Sequence, residues 1–476
     1  MFSMKIIKNF IYNASYQLFA LIVPLATTPY ISRVLGSEGV GTNAYTNSII
    51  QYFVLFGSIG ISTYGNRQIA YQRNNKVELS QTFWEISILR FFTIGAAYIA
   101  FLIYLSFVSR FKIYFIGQSF QIIAAALDIS WLFMGLEDFK KTVTRNIIVK
   151  LVSVICIFAL VKSPSDLSMY ILILSLSTLL GNLSLWGYVR HAIIKPNLKR
   201  FHILRHLSPS ISLFIPQIAI QIYLVLNKTM LGNISGVKAA GCFDNADKIV
   251  KIVLTVVTSL GTVMMPRMAS VFANKEYKKL EHYLYMSGDF TNFLSVPLAF
   301  GLAGIAPRFA PWFMGKEFAI TGELISVESI VIFLIAWGTL IGVQYLIPTN
   351  QVKKYTWAVS ASAVVNLILN VPLIYMYGVV GATIATVVSE ITSTGLQLYF
   401  IRNQINLKNM FHGFWKYLIA GLLMFVVVRY INNNMRMSII GLGVQICSGV
   451  IIYFGITLLL RAPFVNTITK FVKHEL

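Results

Sequence analysis

The sequence predicts an all-α, polytopic membrane protein of about fourteen transmembrane helices, on three observations. The 476-residue chain is 57% hydrophobic and only 12% charged, about half the charge of a soluble protein. Its mean hydropathy is +0.71. Apolar runs of about 20 residues, each enough to cross a ~30 Å hydrocarbon core, recur fourteen times, and the basic residues fall preferentially between alternate pairs of runs.

The runs lie near 10–34, 40–63, 83–108, 113–134, 143–161, 167–189, 208–232, 246–266, 288–313, 323–347, 355–376, 380–401, 413–431 and 438–460. The first follows a short basic stretch, Lys5 to Lys8, and continues to Val34 without a small-residue cleavage site, so it reads as a retained span. With the N-terminus inside, 25 of the 39 Lys and Arg fall in or beside cytoplasmic segments, nine fall outside and five fall within spans. That asymmetry places both termini in the cytoplasm. The net charge of +22 therefore sets orientation in a membrane and does not mark a nucleic-acid partner. Cys156, Cys242 and Cys447 lie far apart without CxxC spacing and suggest neither a disulfide framework nor a zinc site.

The longest basic inside loop, with Arg190, Lys195, Lys199, Arg200 and Arg205, separates the first six spans from the next six. The expected organisation is an N-terminal six-helix lobe (1–190), a cytoplasmic basic linker (191–207), a C-terminal six-helix lobe (208–402), and an accessory pair of helices with a cytoplasmic tail (403–476). The lobes read as a repeat: Val34-Leu35-Gly36 with Tyr45-Thr46-Asn47 matches Met230-Leu231-Gly232 with Phe243-Asp244-Asn245, and Arg67 matches Arg267. Six helices per copy keeps the topology, so the copies would be related by an axis along the membrane normal, around a central cavity. Pro24, Pro29, Pro209 and Pro216 are candidate flex points.

Charges within spans are costly and mark candidate sites. Arg33 and Lys228 precede the paired Leu-Gly of each half, one cation per lobe; they are either a two-sided clamp on an anionic ligand or snorkelling groups. Lys248 and Lys251 follow Asp244 and Asp247 at the start of the eighth span; Asp244 and Lys248 lie four apart, so a local ion pair competes with ligand binding at Lys248. Arg90, five residues after Glu85, is either a cavity cation or half of an internal pair. Asp128 and Glu390 are the deepest carboxylates and are ion-coupling candidates, for a proton or Na+. Asn366 and Asn370 share a helix face and either bind a polar ligand or join helices. Phe272 to Tyr285, with lysines alternating with Tyr and Leu, reads as an amphipathic helix on the cytoplasmic surface. No GxxxxGK[ST], HExxH, GxSxG or CxxC motif is present, so ATP hydrolysis and enzymatic chemistry find no foothold; no catalytic residue, resident metal or cofactor is expected.

Residues 5–85 carry a family likeness: Asn13, Pro24, Pro29-Tyr30-Ile31-Ser32-Arg33-Val34-Leu35-Gly36, Gly39, Gly41 and Tyr64-Gly65-Asn66-Arg67-Gln68-Ile69-Ala70. A second patch is Ala246-Asp247-Lys248-Ile249 with Pro266-Arg267-Met268. These segments resemble bacterial oligosaccharide flippases, the polysaccharide-transporter branch of the multidrug/oligosaccharidyl-lipid/polysaccharide exporter superfamily. The resemblance implies alternating-access transfer of a polyprenyl-diphosphate-linked oligosaccharide to the outer leaflet of the bacterial plasma membrane. It implies Lys248, after Ala246-Asp247, as a position where related lipid-linked precursor flippases carry a basic residue. It also implies membrane lipids and other polysaccharide-assembly membrane proteins as partners. A drug or small-cation antiporter of the same superfamily is the nearest competing reading; its cavity would be dominated by carboxylates. A membrane glycan polymerase or ligase is disfavoured by the short outside loops.

Overall fold

In the computed structural model, which describes residues 4–196 and 201–466, the chain is helical with no β-strand among the described residues. Of the expected basic linker, residues 197–200, including Lys199 and Arg200, lie outside the described residues, as does the tail from 467. The side chains of Asn13 and Pro216 likewise lie outside them.

By packing, the chain divides into two compact units, Met1–Asn233 and Ile234–Leu476. The first holds α1 (Met4–Ser58), α2 (Ile61–Gln72), α3 (Lys76–Phe107), α4 (Lys112–Ala126), α5 (Ser130–Gly135), α6 (Phe139–Leu160), α7 (Leu167–Trp186), α8 (Val189–Ala192) and α9 (Leu207–Ile234). The second holds α10 (Val237–Ala273), α11 (Tyr277–Met314), α12 (Ala319–Glu328), α13 (Ile330–Ile341), α14 (Val352–Ile401), α15 (Leu407–Met410), α16 (Phe414–Asn434) and α17 (Ile439–Leu459). The seventh span, α9, thus packs with the first unit, and the division falls at 233/234 instead of in the basic linker.

Among the described residues, ten helical segments are long and apolar enough to cross a bilayer, eleven if the bent pair Lys316–Glu328 and Ile330–Leu346 is one span. Two of the ten are too long for one crossing: the 50 residues of α14 extend about 75 Å at 1.5 Å per residue, more than twice the hydrocarbon core. Both long helices are broken at a glycine. Gly36 in α1 (φ 68°, ψ 180°) and Gly378 in α14 (φ 57°, ψ −132°) adopt backbone conformations open almost only to glycine. Splitting α1 and α14 there, and counting α9, is consistent with fourteen spans. The recorded break in α1 is at Gly36, downstream of both Pro24 and Pro29.

In the first unit, Tyr64, Phe83, Trp131 and Leu185 anchor a core among α2, α3, α5 and α7, and Ile50, Ile94, Phe101 and Phe115 a second among α1, α3 and α4. In the second unit, α16 and α17 are fastened to α11. The Tyr417 hydroxyl donates to Asp289 Oδ1 (2.6 Å), Tyr453 Oη to the Phe293 carbonyl (3.0 Å), and Asn432 Nδ2 to the Ile305 carbonyl (3.1 Å). The accessory pair is therefore built into this unit's core, while Val426, Tyr430, Ile440 and Ile451 face outward. The expected surface helix at 272–285 is corrected. After a turn at 274–276, in which Lys275 has φ 59°, α11 starts at Tyr277 and runs unbroken into the ninth span. Leu280 and Leu284 are buried, so the lysine-rich stretch is one end of a spanning helix.

Candidate functional site

Arg33 sits at a helix end. Ile31, Ser32 and Leu35 are buried while Arg33 between them is exposed, three residues before the Gly36 break. The Tyr30 hydroxyl donates to the Val161 carbonyl (2.7 Å) and its ring meets Phe158 at 4.5 Å, fastening this end of the helix to the end of α6. A guanidinium at a helix C-terminus complements the terminal carbonyl dipoles. From an exposed position it can also meet a phosphate with two parallel N–H donors.

Lys228 is half-buried near the end of α9. Its neighbour Thr229 shares a hydrogen bond with Ser48 (2.8 Å), and the Tyr45 hydroxyl donates to Asn233 Oδ1 (2.7 Å). Gly232 lies so close to Tyr45 that a Cβ there would fall 2.1 Å from the ring. The matched register expected for Arg33 and Lys228 is corrected by the backbone. Gly36 interrupts its helix, but α9 continues through Gly232 to Ile234, and the positive-φ glycine is Gly236 (φ 87°). Aligning the breaks gives the same 200-residue offset as Arg67 and Arg267, and puts Asn233, not Lys228, opposite Arg33.

The internal charges resolve into pairs. Arg90 is 3% exposed. It donates from Nε to the Ala125 carbonyl (2.6 Å), from one terminal nitrogen to Ser62 Oγ (3.0 Å), and from the other to Asp128 Oδ2 (3.4 Å). Asp128 lies in the break between α4 and α5, where its other oxygen accepts from the Ser130 amide (3.0 Å) and its carbonyl from Trp131 Nε1 (3.1 Å). Of the two readings of Arg90, the structure places it as half of an internal pair, with Asp128 as partner instead of Glu85. Two residues read separately, one as ligand and one as coupling group, thus hold each other. In the second unit Lys248 pairs with Asp244 and Lys251 with Asp247 (2.7 Å), both one turn back on α10. Asn366 and Asn370 are fully buried and joined to each other, Asn370 Nδ2 donating to Asn366 Oδ1 (2.6 Å), so neither faces solvent. Glu390 is half-buried on α14.

Glu85 proves to be a hub that sequence reasoning missed. Its fully buried carboxylate accepts from Gln81 Nε2 (3.0 Å), the His202 amide (3.1 Å), Arg205 (2.7 and 2.9 Å) and His206 Nε2 (2.7 Å). His206 Nδ1 in turn lies 2.8 Å from the Tyr64 hydroxyl. A neutral imidazole with its proton on Nε2 satisfies both ends: it donates to Glu85 and accepts from Tyr64. Burial pushes the His206 imidazole below the ordinary histidine range, and the Glu85 hydrogen bond and charge offset this in part. The network ties the end of the basic linker to α3. The partners stand 121 residues apart, and no local spacing announces them.

Among the described residues, no group of three or more His, Cys, Asp or Glu could hold a metal ion. Of the cations singled out above, Arg33 and Lys228 belong to the first unit, exposed and half-buried, and Lys248 and Lys251 to the second, both half-buried.

The profile of the family described as polysaccharide biosynthesis protein matches residues 6–272. A presumed O-antigen transporter of Shigella dysenteriae is 25% identical over 396 residues, 81% of this chain and 96% of its own length. A protein of the same description from Escherichia coli K12 is 25% identical over 406 residues, 83% of this chain and 96% of its own length. Among solved structures, the lipid II flippase MurJ in an inward closed conformation superposes with a TM-score of 0.78 at 15% identity, covering 95% of this chain and 99% of that one. The fold is therefore shared with that transporter, and the relatives are transporters, not enzymes.

Proposed function

This chain belongs to the polysaccharide biosynthesis protein family, and from that premise we propose that it moves a polyprenyl-diphosphate-linked oligosaccharide from the cytoplasmic to the outer leaflet of the bacterial plasma membrane. The observation that carries the reading is the similarity to O-antigen transporters along more than four fifths of the chain. Physical chemistry supports it. A diphosphate and several sugars cannot cross hydrocarbon unsolvated, so a carrier must offer cations and polar groups while the lipid tail stays in the bilayer. Alternating access supplies the movement.

In this reading exposed Arg33 is the principal ligand for the diphosphate, and half-buried Lys228 a second cation. Lys248 and Lys251, about half exposed beside their aspartates, are auxiliary. The Arg90–Asp128 pair shapes the α4–α5 break, and Asn366 with Asn370 stiffens the first half of α14; none of the four contacts substrate in this conformation. Glu390, half-buried on α14, is the coupling residue for a proton or Na+. Both termini lie in the cytoplasm, following the basic residues. Deletion of the gene tests the function: cytoplasm-facing polyprenyl-diphosphate oligosaccharide accumulates and surface glycan falls. Unchanged export with no build-up of the lipid-linked intermediate would remove the proposal.

A further inference from the structure

Between α6 and α7 runs a groove whose chemistry changes along its length. On α6 it is lined by Lys141, Thr144, Arg145, Ile148 and Val152, spaced three and four residues apart and so on one helix face. On α7 it is lined by Ser177, Leu180, Gly181 and Ser184, with Tyr188, Arg190 and His191 just beyond. The helices meet closely at Gly181, where a Cβ would stand 2.9 Å from Val149 and 3.4 Å from Arg145. The resulting pocket measures about 580 Å³.

One end is basic. Lys141 is held by Asp138 (2.9 Å) and by the rings of Phe133 and Tyr188, and Arg145 donates to Asn182 Oδ1 (2.9 Å). Both are thereby positioned before any ligand arrives. Arg190 and His191 are exposed, and their side chains carry no ion pair or hydrogen bond among the described residues. The other end is apolar and open to the surroundings, with Ile148 54%, Val152 50% and Leu180 61% exposed. From Lys141 to Val152 the helix rises about 16 Å, close to half the hydrocarbon thickness. Positive head, hydroxyls, apolar trough: the gradient has the shape of one lipid in one leaflet.

We infer that this groove is a binding site for one anionic glycerophospholipid, with its phosphate among Arg190, His191, Lys141 and Arg145 and one acyl chain along Ile148, Val152 and Leu180. Charge complementarity selects an anionic headgroup over a zwitterionic one. Guanidinium groups suit the phosphate oxygens. The pocket of about 580 Å³ accommodates a phosphate and glycerol. The leaflet is the cytoplasmic one, where the loop charges put this end of α6.

Native mass spectrometry of the purified full-length chain tests the site with phosphatidylglycerol and phosphatidylcholine as probes. Wild-type protein retains one phosphatidylglycerol through delipidation and does not retain phosphatidylcholine. Arg190→Gln combined with His191→Gln lowers that retention about fivefold, the loss expected for one surface cation. Leu180→Asn lowers it separately by disrupting the chain trough, and thermal unfolding of each variant reports its folding independently of lipid. Equal retention by the double variant, or of the two lipids, overturns the site. Displacement by millimolar glycerol phosphate would reduce it to an anion site, and displacement by polyprenyl diphosphate at equal mole fraction would make it a substrate groove; either refutes the glycerophospholipid assignment. None of these outcomes depends on transport, so the site and the flippase reading can fail separately.

Discussion

Replacing Glu85 with alanine removes one fully buried carboxylate and strands the groups that converge on it: Gln81, the His202 amide, Arg205 and His206. The costs are unequal. Arg205 is 51% exposed and regains water, so its ion pair contributes at most about 1 kcal/mol. His206 is 4% exposed at its side chain, and leaving its Nε2–H without an acceptor costs about 1–3 kcal/mol. The part-buried His202 amide and the space vacated by the side chain add to this, for a total of about 3 kcal/mol. For a cooperative unit of roughly 200 residues, about 2 °C per kcal/mol corresponds to a fall of about 6 °C in the unfolding midpoint. The assay is thermal unfolding of purified protein in one detergent, comparing Glu85→Ala, Glu85→Gln, Arg205→Ala and His206→Ala. Glu85→Gln, which keeps the shape and one acceptor, falls in between. A Glu85→Ala midpoint within about 1 °C of wild type, or a larger loss from Arg205→Ala, would refute a desolvated hub and leave only a surface ion pair.

Because burial lowers the His206 pKa, the unfolded chain binds its proton more tightly than the folded one. The corresponding stability is fully present above the unfolded value of about 6.5 and is lost as pH falls through the lower folded value. The unfolding midpoint therefore declines below about pH 6.5, and His206→Gln flattens that part of the profile; an unchanged slope would count against it. Arg90→Leu alone leaves Asp128 without its cation and destabilises by about 3 kcal/mol, Asp128→Leu alone is also destabilising, and the double variant Arg90→Leu with Asp128→Leu recovers most of the loss. Denaturant titration of the four proteins reads that cycle, and additive losses would mean the two residues do not act as a pair. Arg33→Ala inserts normally yet reduces glycan export, and Lys228→Ala reduces it less, measured as surface polysaccharide per unit of membrane-inserted protein. Full export by the double variant would remove both from the diphosphate site.

Span positions were legible because length and apolarity are local properties. The breaks that split α1 and α14 fall at Gly36 and Gly378, between runs already separated in the sequence. The family could be read from Pro29 to Gly41 and Tyr64 to Ala70, and the match over residues 6–272 supports it. The pairing of Lys248 with Asp244, four residues apart, was legible for the same local reason, and Lys251 repeats it with Asp247. Arg90 was not: Glu85 stood nearer in sequence, but five residues do not share a helix face, and Asp128 reached it from another helix. Glu85, His206 and Tyr64 were invisible as a network because tertiary packing alone brings them together. The repeat register failed at Gly232 because a Leu-Gly pair does not reveal whether its glycine breaks the helix or admits a tyrosine ring.

The most direct test of the central claim is a flipping assay in proteoliposomes containing the purified chain and polyprenyl-diphosphate oligosaccharide isolated from a deletion strain. An added glycosidase or diphosphatase that cannot cross the bilayer reports how much substrate faces outward over time. Transfer between leaflets follows the amount of protein, spares zwitterionic phospholipid and falls sharply with Arg33→Ala. Substrate that stays in its original leaflet at every protein density, or that crosses equally fast in protein-free vesicles, would contradict the account.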